Sequence, residues 1–458
     1  MKRSLSILLA ASLSACVVGP DTTPPELETP RAFATPAPFD GEERDWWLGF
    51  GDETLDGLIQ DALRDNLDVR IAQARLAEAA ALVRAERSDL LPTIDGFADG
   101  TISTDLEGDG GTQESAAGGL AMSFVPDLFG GRRRELEAAR ALLAATEFDR
   151  ADLRRLTASS VASTYLELRR IDARLALLET SLDLQNRTLE IVRLRAEAGL
   201  AADLDVQRAL ADLAQTRAQR GPLVTARADA DNALAVLTGR QPTGELVVPL
   251  EGGPVPIYAD GPDAGVPAEL LRRRPDLRAA EADLVRATAL VGAEVSDLYP
   301  SLSLPGRITA DIETPGALAR QTVASLSAVI DVPLFDFGRR RAEVRAAEAR
   351  AQATLLTYER TLLSALREVE TALVSIRSAE DRRADLAIAV DASEQAFSQL
   401  QALYTEGLAS LIEVLDAQRQ LISSREAFVN SEAELALSAV ALYRALGVSS
   451  GPVAEVRY

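Results

Sequence analysis

The sequence predicts a mainly α-helical protein that also carries a membrane β-barrel. Long coiled-coil-like helices and four transmembrane strands per chain are expected, arranged as an internal two-fold repeat. Three observations predict this class. Hydrophobic residues make up 47% of the 458 residues but aromatic residues only 4%, a balance that suits long packed helices better than compact enzymes. The Pro and Gly punctuation recurs at a near-constant spacing: Asp89-Leu90-Leu91-Pro92 returns as Asp297-Leu298-Tyr299-Pro300, and 297 − 89 = 208. In each copy a Pro is followed by runs of alternating apolar and polar residues and then by a heptad-patterned stretch free of Pro and Gly.

The N-terminus reads as an address. Lys2 and Arg3 precede an apolar run, Leu5 to Leu13, and then Leu13-Ser14-Ala15-Cys16. The run falls far short of the roughly 20 residues that span a bilayer as a helix. It looks like a lipoprotein signal over residues 1–15, with the only cysteine of the chain, Cys16, as lipid acceptor. Val17 follows rather than an Asp, which in lipoproteins implies sorting to the outer membrane. Residues 16–57 are then a lipidated N-terminal tether and equatorial segment, Pro-rich from Gly19 to Pro38.

Repeat 1 covers 58–239 and repeat 2 covers 266–447, separated by an equatorial linker, 240–265, and followed by a tail, 448–458. The register is kept by Asp68-Val69-Arg70 with Asp276-Leu277-Arg278, by Gly131-Arg132-Arg133-Arg134 with Gly338-Arg339-Arg340-Arg341, and by Leu234 and Gly239 with Leu442 and Gly447. Each copy opens with a helix, Leu58 to Leu90 in the first. Pro92 ends it, and strands are expected at 93–104 and 115–125, then at 301–312 and 323–332. In the second copy Leu302, Leu304, Ile308 and Ala310 alternate with Ser301, Ser303, Arg307, Thr309 and Asp311. Such runs have the length and two-faced pattern of transmembrane strands, and a small soluble hairpin with one buried face would show the same pattern. The polar stretches Asp105 to Glu114 and Glu313 to Gln321 suit extracellular loops. Few aromatics remain for membrane girdles beyond Phe124 and Tyr299.

A helix of about 100 Å follows each strand pair. Its apolar residues keep a period of seven: Val161, Leu168, Leu175, Leu182 and Leu189 in copy one, and Leu355, Leu362, Val369, Ile376, Val390 and Phe397 in copy two, with Arg383 as the one break. Each ends at a matched turn, Gly199-Leu200-Ala201 and Gly407-Leu408-Ala409. The glycines serve as helix C-caps, and Asp203 or Ser410 as cap of the returning helix. These are helical hairpins with tips near 199 and 407.

The same composition excludes several functions. With no His and one Cys there is no His-based triad, no ordinary zinc site and no disulfide framework. A net charge of −22 argues against nucleic acid as a partner. Four strands cannot close a barrel, and bilayers do not tolerate open edges, so if the strands lie in a membrane several chains must share one barrel: eight strands from two chains, twelve from three.

At this point the chain resembles the outer membrane factor (TolC-like) family, and within it the OprM/NodT-like lipoprotein branch of resistance-nodulation-division (RND) efflux systems. The resemblance rests on Val266-Pro267 with Leu270-Leu271 and Arg274-Pro275-Asp276-Leu277-Arg278, on Trp46-Trp47 with Phe50-Gly51-Asp52, and on the two tip motifs. It implies a homotrimer with a 12-stranded barrel, an α-helical tunnel and an equatorial belt made of Gln241 to Pro267, the tether and the tail. The function implied is a passive exit duct for small molecules, not an enzyme. It works with an inner-membrane RND pump and a periplasmic adaptor, and it is held in the outer membrane by diacylglycerol and N-acyl lipid on Cys16, without cofactor or metal. The resemblance places a periplasmic gate at Tyr404, Leu411, Asp416 and Arg419, with Asp203, Asp205 and Arg208 in copy one. Adaptor-contacting tips fall at Arg195, Gly199, Leu200, Gly407, Leu408 and Ser410. The alternatives are a periplasmic adaptor, which would have one hairpin rather than two, and a pore-free coiled-coil lipoprotein, which needs no amphipathic strands.

Overall fold

The computed structural model describes residues 17–21, 45–104, 112–249, 254–258, 274–314 and 319–447. Cys16 and the signal, most of the tether and linker, and the tail lie outside the described residues.

The first repeat begins with a 3₁₀ turn, Trp46–Phe50, and two helices, α1 (Glu53–Asp65) and α2 (Leu67–Ser88). The single helix expected from Leu58 to Leu90 is therefore two. Asn66 breaks it: its backbone turns extended (φ −57°, ψ 132°), and its side chain accepts from the N–H groups of Asp68 and Val69 to start α2. Its amide also donates to the Leu237 carbonyl at 2.9 Å. In the second repeat α6 (Pro275–Ser296) starts after Arg274, whose backbone repeats that turn (φ −59°, ψ 128°). Arg274 donates to the Ala445 carbonyl at 2.5 Å. Arg274 and Ala445 are the repeat counterparts of Asn66 and Leu237, so one backbone arrangement is satisfied by two different side chains. Each caps the C-terminus of the returning helix, where free carbonyls need donors.

The strands are β1 (Thr93–Thr104), β2 (Thr112–Ser123), β3 (Ser301–Ser303), β4 (Gly306–Thr314), β5 (Ala319–Leu326) and β6 (Val329–Asp331). The strand expected at 115–125 starts and stops earlier. Those expected at 301–312 and 323–332 are each split. Pro305 lacks the N–H that would carry the ladder through, so Leu304 donates instead to the Phe124 carbonyl and Ser327 to that of Pro305. Strands β1, β2, β4 and β5 form one antiparallel sheet in that order, and β3 pairs with β6. The register sorts the side chains. Ile94, Met122, Leu120, Ile308, Ala324 and Leu326 share one face. Asp95, Phe97, Asp99, Arg307, Thr309 and Asp311 share the other, over the small residues Ala117, Gly119 and Ala121. The outer edges of β1 and β5 have no partner strand within the chain.

Helix α3 (Gly131–Glu197) is 67 residues long, and so is α7 (Arg339–Thr405), about 100 Å each. α3 returns through two helices, α4 (Asp203–Ala218) and α5 (Arg220–Leu237), whereas α7 returns through one, α8 (Leu411–Leu446). Pro222 explains the difference, since it has no N–H to offer the Ala218 carbonyl, and α8 has no proline. Most of the heptad residues are buried, with Leu175, Leu355 and Val390 half-buried: Val161, Leu168, Leu182 and Leu189 join one core with Trp46, Leu55, Ile59 and Tyr165. A second core holds Leu362, Val369 and Ile376 with Leu442 and Leu446. Arg383 breaks the seam but is accommodated: its guanidinium lies over the Phe428 ring and pairs with Glu432 at 3.4 Å, although its Nε is buried without a partner. Among the described residues no helix is long and apolar enough to cross a membrane.

Candidate functional site

Three regions concentrate chemistry: the hairpin tips, the junction where sheet meets helices, and the polar face of the sheet.

At the tips α3 and α7 end alike. Gly199 (φ 75°) and Gly407 (φ 81°) take the left-handed conformation, while Leu200 donates back to the Arg195 carbonyl and Leu408 to that of Leu403. The returning helices differ. Ser410 forms a capping box with Glu413 at the start of α8, and its backbone N–H holds the Glu413 carboxyl below the usual range. At the start of α4 the capping position is Ala202, in extended conformation, so Asp203 is the first helical residue and caps nothing. Its carboxylate acts only through the helix dipole.

The residues expected at the gate divide into two sets. Tyr404 and Leu411 are buried with Val192, Phe397, Val414, Leu415 and Leu421 in a tip core. Burial raises the Tyr404 hydroxyl pKa; nearby Arg195 works against this and Asp205 adds to it. Asp416 and Arg419 are exposed and paired with each other, and Arg419 also lies 3.8 Å from Asp212 on α4. Asp205 and Arg208 stand 3.7 Å apart. Of the tip residues, Leu200 and Leu408 project into solvent. Arg195 does not. It reaches across from α3, lies 4.7 Å from the centre of the Tyr404 ring and donates to the carbonyls of Tyr404 (2.8 Å) and Thr405 (3.1 Å). It thus ties the end of one long helix to the other.

Sequence reasoning missed Asp212, which joins the charged pair, and a buried polar layer just above it. There the Gln418 amide donates to Thr188 at 3.4 Å beside Gln185. The heptad hints at the layer, since Gln185 and Thr188 interrupt an otherwise apolar stripe.

The junction holds the segment that follows Cys16. Val18 donates to the Phe129 carbonyl at 3.0 Å. A Cβ on Gly19 would stand 2.4 Å from the Gly292 Cα, and one on Gly130 would stand 2.9 Å from that of Val17. Arg134, almost fully buried, donates to Asp21 (2.8 Å) and Glu137 (2.9 Å) and to the Val18 carbonyl (3.4 Å). Nearby, Phe129 stacks on Tyr299 at 4.8 Å. On the second repeat Leu334, Phe335 and Phe337 are exposed, and Phe337 has a positive φ of 53°. These supply apolar and aromatic surface at the sheet base beyond Phe124 and Tyr299. Apart from Arg134 with Glu137, which are three residues apart on one helix, these partners could not be paired from sequence, because each contact joins segments more than a hundred residues apart.

The linker residues that are described, 241–249 and 254–258, wrap this body near its middle. Val248 and Val255 are buried, Asp231 accepts from the N–H groups of Val247 and Val248, and the Tyr443 hydroxyl bonds that of Tyr258 at 2.7 Å.

Comparison with known proteins fits this geometry. The sequence profile of the family described as "Outer membrane efflux protein" matches residues 58–240 and 266–448. The chain is 32% identical to "Nodulation protein T" of Rhizobium leguminosarum bv. viciae over 99% of this chain and 95% of that one. It is 28% identical to "Cation efflux system protein CusC" of Escherichia coli over 97% and 98%. It is 33% identical to "Solvent efflux pump outer membrane protein SrpC" of Pseudomonas putida over 87% and 86%. Among solved structures it is similar to the outer-membrane channel OprN (TM-score 0.88, 33% identity, 95% of this chain and all of that one). It is also similar to the open state of the Neisseria gonorrhoeae MtrE outer membrane channel (TM-score 0.86, 27% identity, 95% and 99%). Two long helical hairpins, a two-faced sheet with open edges and a repeat that the family profile matches in both halves lead to one conclusion: the chain belongs to the outer membrane efflux protein family and is an outer-membrane channel of an efflux system.

Proposed function

We propose that this channel is the passive exit duct of a tripartite system, built from three copies that close one 12-stranded barrel above one helical conduit. An inner-membrane pump of the RND type drives cargo, and a periplasmic adaptor joins the two. The observation that carries the reading is a half-satisfied seam. Within the chain, Ala144, Ala145 and Phe148 of α3 bury against Ala279 and Ala282 of α6. Their repeat counterparts are Gln352, Ala353 and Leu356 on α7, and Ile71 and Ala74 on α2, and all five are exposed. Phe129 stacks on Tyr299, while the counterparts Phe337 and Leu91 are 91% and 63% exposed. The chain thus makes one seam between its repeats and carries both halves of a second. Joining α7 of one copy to α2 of the next completes it and gives the β1 and β5 edges partners. Such a head-to-tail contact closes a ring, and three copies give the strand count a barrel of this family needs.

Cys16 carries the lipid, next to the clamped segment 17–21. The gate lies at the tip, where Asp416, Arg419 and Asp212 link α8 to α4. A three-fold ring of such carboxylates concentrates charge in a narrow neck. Tyr404, Leu411 and Arg195 hold the hairpins behind it, and the exposed Leu200 and Leu408 beside Gly199 and Gly407 face the adaptor. The experiment is conductance in planar bilayers. Purified protein should migrate as three chains and conduct weakly, and Asp416→Ala with Arg419→Ala should raise the resting conductance several-fold. A double variant that conducts like the wild type removes this pair from the gate.

A further inference from the structure

The polar face of the sheet contains one aromatic and one basic residue, and they meet. Phe97 on β1 and Arg307 on β4 are separated by β2, where the register places Gly119 and Ala121 between them. These small residues leave a trough. Phe97 leans into it, and the Arg307 guanidinium lies 3.8 Å from the centre of its ring. That distance is van der Waals contact and favours a cation over the ring face. Arg307 has no ion pair among the described residues, although Asp95, Asp99 and Asp311 stand on the same face. It is the only basic residue on that face among the described strand residues. A guanidinium that turns from carboxylates to a ring keeps its full charge available, because the ring has no countercharge to give it. Level with Arg307 the opposite face is apolar, with Ile94, Leu120, Met122, Ile308, Ala324 and Leu326, and suits lipid, so the face bearing Arg307 lines the interior in the barrel proposed above.

We propose that Arg307, positioned by Phe97, is a charge-selecting station for organic anions inside the barrel. In a three-fold assembly it makes a ring of fixed positive charge in an otherwise acidic wall. Cargo with a carboxylate or sulfonate meets a flat bidentate donor there, and an aromatic group meets the same stacked plane. The inference rests on the barrel reading. Its test reads local potential at the sheet rather than at the tip, so the gate does not mask the result.

A Thr309→Cys reporter stands two residues along β4 on the same face, about 7 Å away by strand geometry. Cys16 is the only other cysteine, and lipid blocks its thiol. Intact cells are treated with the anionic sulfonatoethyl or the cationic trimethylammonioethyl methanethiosulfonate, and the two labelling rates are measured. Removing the charge with Arg307→Gln should slow the anionic reagent about threefold and speed the cationic one about threefold, from the Coulomb energy at that separation. The ratio of rates then falls about tenfold. Arg307→Lys, which keeps the charge, should hold most of the ratio, and Phe97→Leu should give a value between wild type and Arg307→Gln. Equal ratios in wild type and Arg307→Gln overturn the station, and a wild-type ratio in Phe97→Leu removes the positioning role of Phe97. If the reporter labels with neither reagent in cells but labels once denatured, the face is not water-filled, and the barrel reading itself fails.

Discussion

The half-satisfied seam makes a quantitative prediction. Leu356 on α7 is 53% exposed in the single chain and Ile71 on α2 is 49% exposed. Complete burial of such a side chain contributes about 1.5–3 kcal/mol, so covering the exposed half contributes about 1 kcal/mol each. One seam then draws about 2 kcal/mol from the pair, and three seams about 6 kcal/mol per assembly. The double substitution Leu356→Ala with Ile71→Ala should lower the temperature at which the assembly dissociates on a semi-native gel while the helical circular dichroism of each chain is kept. Phe148→Ala is the internal control. Its side chain is fully buried within one chain, so truncation should cost about 3–5 kcal/mol of chain stability. It should lower the helical melt itself. If the double variant leaves dissociation unchanged while Phe148→Ala destabilises the chain, the exposed counterparts do not form a seam, and the repeat argument for ring closure is wrong.

Two further predictions concern the repeat caps. Arg274 is 2% exposed and holds Asp276, Glu368 and the Ala445 carbonyl. Arg274→Ala should cost about 3 kcal/mol, because it leaves buried partners unpaired. Asn66→Ala, which removes a helix cap and one buried hydrogen bond, should cost about 2 kcal/mol; urea unfolding in detergent checks the order. Acid should act in two stages. Burial, only partly offset by Arg155, raises the pKa of Asp152, so its folded form binds protons more tightly. Stability should therefore rise as pH falls from 7 through that raised value towards the unfolded pKa of about 4. Asp276 is the opposite case: burial works against its charge, but the hydrogen bond and charge of Arg274 more than offset it, and the pKa is lowered. Its contribution is complete above about pH 4 and is lost below that as the folded carboxyl protonates. Asp56, Glu135 and Asp149 are raised by burial as well, so melting temperature against pH should show a shallow maximum, and Asp152→Asn should reduce the rise without changing the fall.

Much of this architecture was legible because it is periodic. Heptads specify long helices wherever Pro and Gly are absent, and the burial of Val161, Leu168 and Leu182 follows from spacing alone. The local exceptions were less legible. Asn66 ends one helix and starts another with a single extended residue; asparagine is a common N-cap and bonds locally to Asp68 and Val69, but the helical pattern runs on across it, and its bond to the distant Leu237 carbonyl has no local signal. Pro305 was visible, but alternation on both sides of it reads as one strand, and only the partner ladder shows the split. At the tip, Gly199 and Gly407 were readable because left-handed turns demand glycine. The destination of Arg195 was not, since a basic residue in a last turn suits solvent, its own helix end or a neighbour's equally well.

The two repeats diverge most where the chain has something to do only once. Gly130, Gly292 and Arg134 form the notch that receives Val17 to Asp21. Gly130 (φ 86°) and Gly338 (φ 89°) both cap their long helix in the left-handed conformation, so the structural offset here is 338 − 130 = 208, one more than the Gly-Arg-Arg-Arg motifs give, and the counterparts of Gly292 and Arg134 are Arg84 and Ala342. At the second junction a side chain therefore stands where Gly19 would have to lie, and the arginine that grips Val18 and Asp21 is missing. A chain with one tether needs one notch, and the notch lies on the seam within the chain rather than on the seam we propose between copies. The segment after Cys16 thereby crosses repeat 1 and repeat 2 at the base of the sheet, beside Phe129 and Tyr299. A lipid on Cys16 would then start at the height where the strands enter the membrane, with no slack between anchor and barrel. The other junction, freed from the tether, exposes Leu334, Phe335 and Phe337 instead. The strained Phe337 backbone, which costs about 1–2 kcal/mol in a non-glycine residue, is understandable if that ring is covered by Leu91 of the next copy. In the assembly proposed above, the same pseudo-symmetry that lets one sequence build two seams also decides which seam would carry the anchor and which the contact between copies.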